Sequence, residues 1–525
     1  MTRPAASIGA GLDPTRAARR IRTGERIHVV GIAGAGASGA ALLAADADAT
    51  VDGCDTTPTS PYTPALDAAA IAVLEGHDRG HVTRTPPPER LAVTKALTAV
   101  AADHPELTVA RQRGIPCEGW QQVVADAAFG RTLVAVAGTH GKSTTAGWLT
   151  ELLVGLGEDP SALVGALLPS AISGGLPATG RRGRGAPFVV EADEYAGNFD
   201  PYRPAITVLT NADWDHPDVF ADRAAVVDAF ADWIVDGATA NATATTTTPR
   251  PTLVVNVGDA GAEAVAARLR DWPGIIVATA LVDGDPPRPG VLRGLAEQYA
   301  TTGGPARGIV GRIVAADPDG TTIEVVGLDP LAGATRLRLA TVGRHNGANA
   351  LGVVGAAIAL GSDPAAIAAG IGRFTGVGRR LERKGAAGGV VVYDDYGHHP
   401  TAIRATIAAL RQREPGRPIW AVYEPLTFHR TAALIEEFAA ALGEADGVAI
   451  ADIWAGRDLD TSSVSATTLA TAVARRRPDL EVGAPGSVEA TASWVAARLR
   501  PGDAVLVMGG GRSYRIAELL LAALG

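Results

Sequence analysis

The run RTLVAVAGTHGKSTTAGWLTELLVGLG, residues 131–157, constrains this chain more than any other. An apolar stretch leads into a short loop with two glycines and a lysine, and a helical stretch follows at once. A strand that hands over to a helix amino terminus in this way belongs to a parallel α/β unit. The backbone amides of Gly138, Thr139, His140 and Gly141 can wrap phosphate oxygens, with Thr144 in the first helical turn. Lys142 can reach the β and γ positions, and Ser143 can offer its hydroxyl to Mg²⁺. The spacing departs from the usual phosphate loop, because Val136 stands where a first glycine is expected. Even so, only three of the 47 basic residues are lysines (Lys95, Lys142 and Lys384), and one of them stands in this loop. Ammonium and guanidinium differ in size and donor geometry, so a lysine kept in an arginine-rich chain is informative. The loop reads as an ATP or GTP site rather than a bare turn before a helix.

Two more strand–helix series flank this one. Upstream, IHVVGIAGAGASGAALLAA gives a strand, the turn Gly34-x-Gly36-x-x-Gly39 and a small-residue helix. Asp55 lies 21 residues after Gly34, at the end of the next strand. That arrangement suits a dinucleotide or another nucleotide diphosphate. A simple glycine turn would look similar in a chain with 63 glycines. Downstream of Phe374, five short β-branched runs each precede a helix, the pattern of a parallel sheet. The reading is α/β throughout, with three consecutive domains: Rossmann-like over 26–130, a phosphate-loop domain over 131–372 and Rossmann-like over 373–525. Residues 1–25 read as a flexible tail. The low-complexity segment 237–250 reads as an exposed loop, and 283–308 as a second loose stretch. Runs within 309–342 alternate as antiparallel strands do, and a long helix is expected from Gly343 to about Leu360.

Composition removes several classes. Hydrophobic residues make up 47% and charged residues 20%, so the chain can bury proper cores and is not disordered. A net charge of −9 disfavours a general nucleic-acid or anionic-membrane binder. No apolar run is long enough for membrane insertion, and the amino terminus lacks the apolar core of a secretory signal. Only Cys54 and Cys117 are present, which argues against a disulfide scaffold or a cysteine-built zinc site. These features predict a cytoplasmic protein.

Polar clusters gather at strand ends. Glu191-Ala-Asp193-Glu194 follows PFVV, where a nucleotide-bound Mg²⁺ needs oxygen ligands, although a solvated acidic loop would look alike. Asn211-Ala-Asp213-Trp-Asp215-His216 follows the next strand. Imidazole is an unusual Mg²⁺ ligand, so spacing alone does not assign His216 to a metal. His345, Asn346 and Asn349 stand at the head of the long helix. Asn346 and Asn349 share a face and could meet an adenine edge, or Asn346 could cap the helix. Tyr393-Asp394-Asp395-Tyr396-Gly397-His398-His399 closes the first strand of the last series. Five of the ten histidines fall inside these clusters, which predicts that the clusters meet in one interdomain cleft.

Taken in order, GIAGAGASG, GTHGKSTT, EADE, NADWDH, GRHNGANA, FTGVGRRLE and YDDYGHHPT resemble the Mur ligases over residues 26–525, and most of all the alanine-adding branch. The resemblance implies an ATP- and Mg²⁺-dependent ligase of peptidoglycan synthesis, a monomer or homodimer. It would join the lactyl carboxylate of UDP-N-acetylmuramate to L-alanine through an acyl phosphate. It places the uridine diphosphate, not NAD, at Gly34, Gly36, Gly39 and Asp55, with His77 on the uridine side. Lys142 would hold the γ-phosphate, Ser143 and Glu191 one Mg²⁺, and His216 a second. His345, Asn346 and Asn349 would lie near the adenine, Asp394 or Asp395 near the ribose, and Arg380 near the phosphates. Tyr396 and His398 would face the acyl substrate, and Lys95 the diphosphate.

The chain also departs from that pattern. Where the alanine-adding branch has Pro-His-Arg-Tyr, this sequence reads Pro425-Leu426-Thr427-Phe428, with Arg430 retained. The missing side chains belong to the region that receives the amino acid, so the acceptor stays open between alanine and a preformed peptide. No lysine stands between Lys142 and Lys384, which excludes there the carbamylated lysine of several later family members. A degenerate nucleotide-binding regulator of the same fold is a further reading. An NAD-dependent oxidoreductase is another, but it leaves Lys142, Glu191 and the HNGAN helix unexplained.

Overall fold

A computed structural model describes residues 8–101, 103–242, 250–284, 289–329, 333–456 and 458–525. Three sheets follow one another along the chain. The first holds β1 (Arg26–Val30), β2 (Thr50–Asp55), β3 (Ala72–Glu75), β4 (Arg90–Val93) and β5 (Cys117–Gly119). All five are parallel, in the order β3-β2-β1-β4-β5. The strand order reverses between β1 and β4, so the glycine turn after β1 opens at the switch point where α/β sheets take ligands.

The second sheet has ten strands: β6 (Thr132–Ala137), β7 (Ser161–Leu168), β8 (Ala178–Arg181), β9 (Pro187–Glu191), β10 (Ile206–Leu209), β11 (Thr252–Asn256), β12 (Ile275–Val282), β13 (Arg307–Asp317), β14 (Gly320–Val326) and β15 (Thr335–Leu339). Their order is β15-β14-β13-β12-β11-β10-β6-β9-β7-β8. β6 runs parallel between β10 and β9, so the ends that carry the phosphate loop, Glu191 and Asn211 are neighbours. As expected, β13, β14 and β15 are antiparallel. One face of this sheet packs the helix Lys142–Gly155 and the helix Arg344–Ala359. The other buries Phe188, Phe230 and Trp233 together with Ala40, Leu43 and Val124, which joins the first unit to the second through one apolar core.

The third sheet contains β16 (Glu382–Ala387), β17 (Val390–Asp395), β18 (Ile419–Glu424), β19 (Gly447–Ala451), β20 (Glu481–Gly486) and β21 (Ala504–Gly509), ordered β16-β17-β21-β18-β19-β20. Only β16 is antiparallel to its neighbour. Its sequence, ERKGAA, has no apolar run and gave no strand signal. Among the described residues no helix is long and apolar enough to cross a membrane.

Three expectations from the sequence change. Residues 8–25 are not a loose tail, because their polar groups find buried acidic partners. Arg16 pairs with Glu118 and Asp126, each at 2.7 Å, Arg19 pairs with Glu25 at 2.6 Å, and Ile21 is buried. Residues 1–7 lie outside the described residues. In the stretch 283–308 a helix spans Pro289–Gln298, where VLRGLAEQ supplies an apolar face that the surrounding Gly and Pro hid. Most of the expected loop 237–250 lies outside the described residues, and the helix Arg223–Ala242 covers its start.

Candidate active site

The phosphate loop is built by close approach between neighbouring strand ends. Gly138 has φ +128°, and a Cβ there would sit 2.3 Å from Thr210 Oγ1 and 2.8 Å from the Asn211 carbonyl. Gly141, at φ +80°, precedes the helix, and its missing Cβ leaves room for Asn349. The loop after β10 braces this turn. Asn211 Oδ1 accepts from His140 N at 2.8 Å, Asn211 Nδ2 and Thr210 Oγ1 both donate to the His140 carbonyl, and Thr139 Oγ1 accepts from Asp213 N. The loop amides are therefore held before any phosphate arrives.

Lys142 Nζ donates to the Gly138 carbonyl at 2.6 Å and to Glu194 Oε2 at 2.9 Å, with Asp193 Oδ1 at 3.8 Å. Burial works against the ammonium, but Glu194 and Asp193 outweigh it and hold the charge on. Burial pushes the Glu194 carboxyl up to about 7 despite Lys142, with Asp193 adding to the rise. Ser143 Oγ donates to Glu191 Oε1 at 3.0 Å, and the second Glu191 oxygen takes the Gly165 amide at 2.6 Å. Asp193, Glu194 and His216 offer donor atoms that lie within 4.8 Å of one another. The Ser143 hydroxyl and the carboxylate oxygens of Glu191, Asp193 and Glu194 are donors that a hard divalent cation takes, so this set fits Mg²⁺.

The third unit closes over this loop. Arg380 NH2 donates to Ser143 Oγ at 2.8 Å, across 237 residues of chain. Thr401 Oγ1 donates to Asp213 Oδ2 at 2.9 Å, and the rings of His140 and His399 lie 4.6 Å apart. Arg430 is buried, donating through Nε to Asp215 Oδ1 at 2.7 Å and facing His216 Nδ1 at 3.1 Å. Burial alone would raise the Asp215 carboxyl, but the Arg430 guanidinium holds it well below the usual range. Sequence reasoning did not find Asp215 as the partner of Arg430, because 215 residues separate them. His398 is held neutral, first by burial and then by Arg430, and its Nδ1 lies 3.0 Å from the Tyr396 carbonyl.

Asp394 and Asp395 are buried and already engaged within the third unit. Asp394 Oδ2 accepts from Arg379 Nε at 3.1 Å. The two Asp395 oxygens accept the amides of Leu381 and Gly397. These bonds set the turn that aims Arg380. Asn346 is not the helix cap, a position that Gly343 takes. Its Nδ2 donates back to the Val342 carbonyl, and its Oδ1 accepts from Asn349 at 3.2 Å. His345 packs beside Gly343, and burial lowers its imidazole.

A cavity of about 560 Å³ lies between the three units. Tyr62 reaches it from the first unit, Gly165 and Leu167 from the second, and Arg379, Arg380 and Tyr396 from the third. Both guanidinium groups stand 5.1 Å from the Tyr396 ring centre. Tyr62 carried no sequence signal, since it lies in a Pro- and Thr-rich loop.

The glycine turn of the first unit has a second reason for its composition. A Cβ on Gly36 would lie 2.3 Å from the Trp120 ring, and one on Gly39 2.3 Å from Leu163 Cδ1 in the central unit. Gly34 precedes the helix Ala35–Asp46, and Asp55 Oδ2 accepts from Ala33 N at 3.2 Å, bracing the turn. His77 faces Cys54 Sγ at 3.2 Å inside the first unit. The Lys95 ammonium does not stand free for a diphosphate. It donates to the carbonyls of Ala196 and Gly197, each at 2.9 Å, and ties the first unit to the loop after Glu194.

Comparison with known proteins identifies the family. The model of the Mur ligase family, catalytic domain, matches residues 26–131, and that of the Mur ligase, glutamate ligase domain, matches residues 379–511. The UDP-N-acetylmuramate–L-alanine ligase of Frankia casuarinae is 36% identical, over 96% of this chain and 99% of its own. That of Roseiflexus castenholzii is 34% identical, over 95% and 97%. Among solved structures, UDP-N-acetylmuramate–alanine ligase from Thermotoga maritima superposes with a TM-score of 0.71 at 20% identity, over 95% of this chain and 98% of that one. A murein peptide ligase from Psychrobacter arcticus gives 0.68 at 23%, over 96% and 99%. With relatives 34–36% identical over 95–96% of it, the chain belongs to the Mur ligase family.

Proposed function

We propose that the chain joins the lactyl carboxylate of UDP-N-acetylmuramate to L-alanine at the expense of ATP, in peptidoglycan synthesis. Full-length similarity to alanine ligases supports the choice of substrates. One observation carries the chemistry. Ser143 Oγ meets Glu191 of the central unit and Arg380 of the third at the mouth of the phosphate loop, so charge-handling groups of two units come together there.

A lactyl carboxylate is a poor electrophile at neutral pH. Transfer of the γ-phosphoryl group onto one of its oxygens releases ADP and gives an acyl phosphate. The amine then attacks the acyl carbon, and the tetrahedral intermediate expels inorganic phosphate. Both steps crowd negative oxygens together, so catalysis is mostly positioning and charge neutralisation. The amides of Gly138 to Thr144 cradle the phosphates, and Lys142 and Arg380 approach them from two units. Ser143 and Glu191, and separately His216, would hold Mg²⁺, which would supply further neutralisation of the crowded oxygens. His345, Asn346 and Asn349 meet the adenine, and Tyr396 and His398 face the acyl group. Arg430 orders the acceptor side, and Gly34, Gly36, Gly39, Asp55 and His77 frame the uridine diphosphate. Closure of the three units shields the acyl phosphate from water.

The test is phosphate release with ATP, Mg²⁺ and UDP-N-acetylmuramate, with single amino acids and then the cell-wall tripeptide added in turn. Release that needs the UDP-sugar and L-alanine is the expected result. Release with the tripeptide alone would make this a peptide-recycling ligase, and none with any acceptor a nucleotide-binding regulator.

A further inference from the structure

Next to His77, the first unit contains a polar cluster of His28, Cys54, His81, His104 and Glu106 to which the proposed reaction gives no role. Cys54 is fully buried at the end of β2, and its Sγ lies 3.1 Å from Glu106 Oε1 and 3.2 Å from His77 Nδ1. Glu106, fully buried in the helix Pro105–Gln112, also meets His81 Nδ1 at 2.5 Å. From β1, fully buried His28 directs Nε2 to 3.7 Å from Glu106 Oε1, and that nitrogen has no hydrogen-bond partner. His104, 3% exposed, leaves both ring nitrogens unpartnered beside the His77 ring, 4.5 Å away. Unpaired buried polar atoms are costly, and three imidazole nitrogens in one small volume need an explanation.

We propose that His28, Cys54, His81 and Glu106 form a zinc site that staples the first unit together. One donor atom from each lies within 4.8 Å of the others. Tetrahedral zinc with nitrogen, sulfur and oxygen ligands sets its donors about 3.3–3.8 Å apart, so the His81–Glu106 and Cys54–Glu106 separations of 2.5 and 3.1 Å would widen while the longer ones draw in. One thiolate, two imidazoles and a carboxylate suit zinc and are too soft a set for Mg²⁺. The outer contacts match. His28 Nδ1 lies 2.8 Å from Asp52 Oδ1, and Asp52 is held in turn by Arg84. A carboxylate on the far nitrogen fixes the tautomer and aims the other nitrogen at a metal.

The four ligands come from β1, β2, the short helix Gly80–Thr83 and the helix Pro105–Gln112. A bound ion would therefore join four segments and set the position of the loop that carries His77. The charge states are consistent with this. Burial would raise the Glu106 carboxyl, but the His28, Cys54 and His81 side chains facing it outweigh that and hold it low. Burial, then Glu106, push the Cys54 thiol far up, so loading must release its proton. The site lies away from the phosphate loop, and the proposal does not depend on which acceptor the enzyme uses.

The experiment uses the untagged full chain, made in zinc-supplemented medium. Elemental analysis after gel filtration should give about one zinc per chain, and the cobalt-exchanged protein should show a thiolate-to-cobalt charge-transfer band. Cys54→Ser should abolish that band. His81→Asn, at a partly exposed position, should lose the zinc while keeping the circular dichroism of the parent. Asp52→Asn should weaken zinc by roughly 10–100-fold, the usual effect of removing an outer carboxylate. His216→Asn and His140→Asn should leave the zinc content unchanged, which separates this site from donors near the phosphate loop. A folded parent chain with neither zinc nor a cobalt band would overturn the proposal. So would zinc content that survives both Cys54→Ser and His81→Asn.

Discussion

Replacing Arg430 with methionine removes one half of a buried ion pair that joins the central unit to the third. Both side chains are 5% exposed or less, and the Nε–Oδ1 distance is 2.7 Å, so solvent does not discount the interaction. Truncating one partner of such a pair costs about 3–5 kcal/mol, most of it from the charge left behind. Asp215 would be that charge. Because the two residues sit on different units, separation of the units would let water reach Asp215. The measured loss should therefore lie toward the lower end of that range, and phosphate release should fall with it, since the same docking places Arg380 on Ser143. Asp215→Asn in the same background removes the stranded charge, so the double variant should be more stable than the sum of the singles by about 1–3 kcal/mol. Urea denaturation of the parent, both singles and the double supplies the cycle. If the single effects add to within about 0.5 kcal/mol, the pair does not couple the units and the reasoning fails.

Three other outcomes follow from the same geometry. Lys142→Ala should abolish phosphate release while calorimetric binding of UDP-N-acetylmuramate stays within a few-fold of the parent; equal loss of both would refute the division of labour between the units. Glu194 has a folded-state value of about 7 against an ordinary 4.5, so its contribution to stability is complete below about pH 4.5 and is lost as pH rises through 7. Between pH 5.5 and 8 the unliganded parent should lose stability relative to Glu194→Gln, in paired thermal melts that share the similar contribution of Glu424. Parallel curves would rule out the assignment. Gly39→Ala places a methyl group 2.3 Å from Leu163 Cδ1, which should cost about 1–3 kcal/mol through overpacking. Affinity for the UDP-sugar should change by less than about threefold if Gly39 serves packing, and a large loss of affinity without loss of stability would return it to the diphosphate.

What could be read from the sequence was local chemistry on regular elements. The phosphate loop announces itself in eight consecutive residues, and each acidic or histidine cluster follows an apolar run, so its place at a strand end is dictated by the period of that run. The family resemblance then ordered these clusters into one site. Pairings distant in sequence were not legible. Nothing local pairs Asp215 with Arg430, which stand 215 residues apart. Lys95 is one of three lysines, but nothing local reveals that its partners are carbonyls of another unit. The arginines of residues 8–25 looked like a solvated tail because their acids, Glu118 and Asp126, lie about a hundred residues away. Counting cysteines pointed away from a zinc site, since a mixed site needs only one. Its other donors, at 28, 81 and 106, have no common spacing.

The same contrast bears on how nucleotide would meet the site. Each phosphate-side group is already engaged: Lys142 with Glu194, Ser143 with Glu191 and Arg380, and His140 with Asn211. On the proposed function, nucleotide would displace or share these contacts, so much of the binding energy would go to exchanging partners rather than to ordering side chains that were free. Little conformational entropy is then lost on binding. The groups most changed by such an exchange are Glu194, relieved of its half-neutral state by an added cation, and Arg380, which would move from a hydroxyl to phosphate oxygens. Arg380 is aimed by the turn that Asp394 and Asp395 hold, and that turn is positioned against the central unit by Arg430 and Asp215. On the proposed function, chemistry at the phosphate would be coupled to docking of the third unit through a short run of charge-assisted contacts, which is why the Arg430 cycle tests the catalytic reading as well as stability.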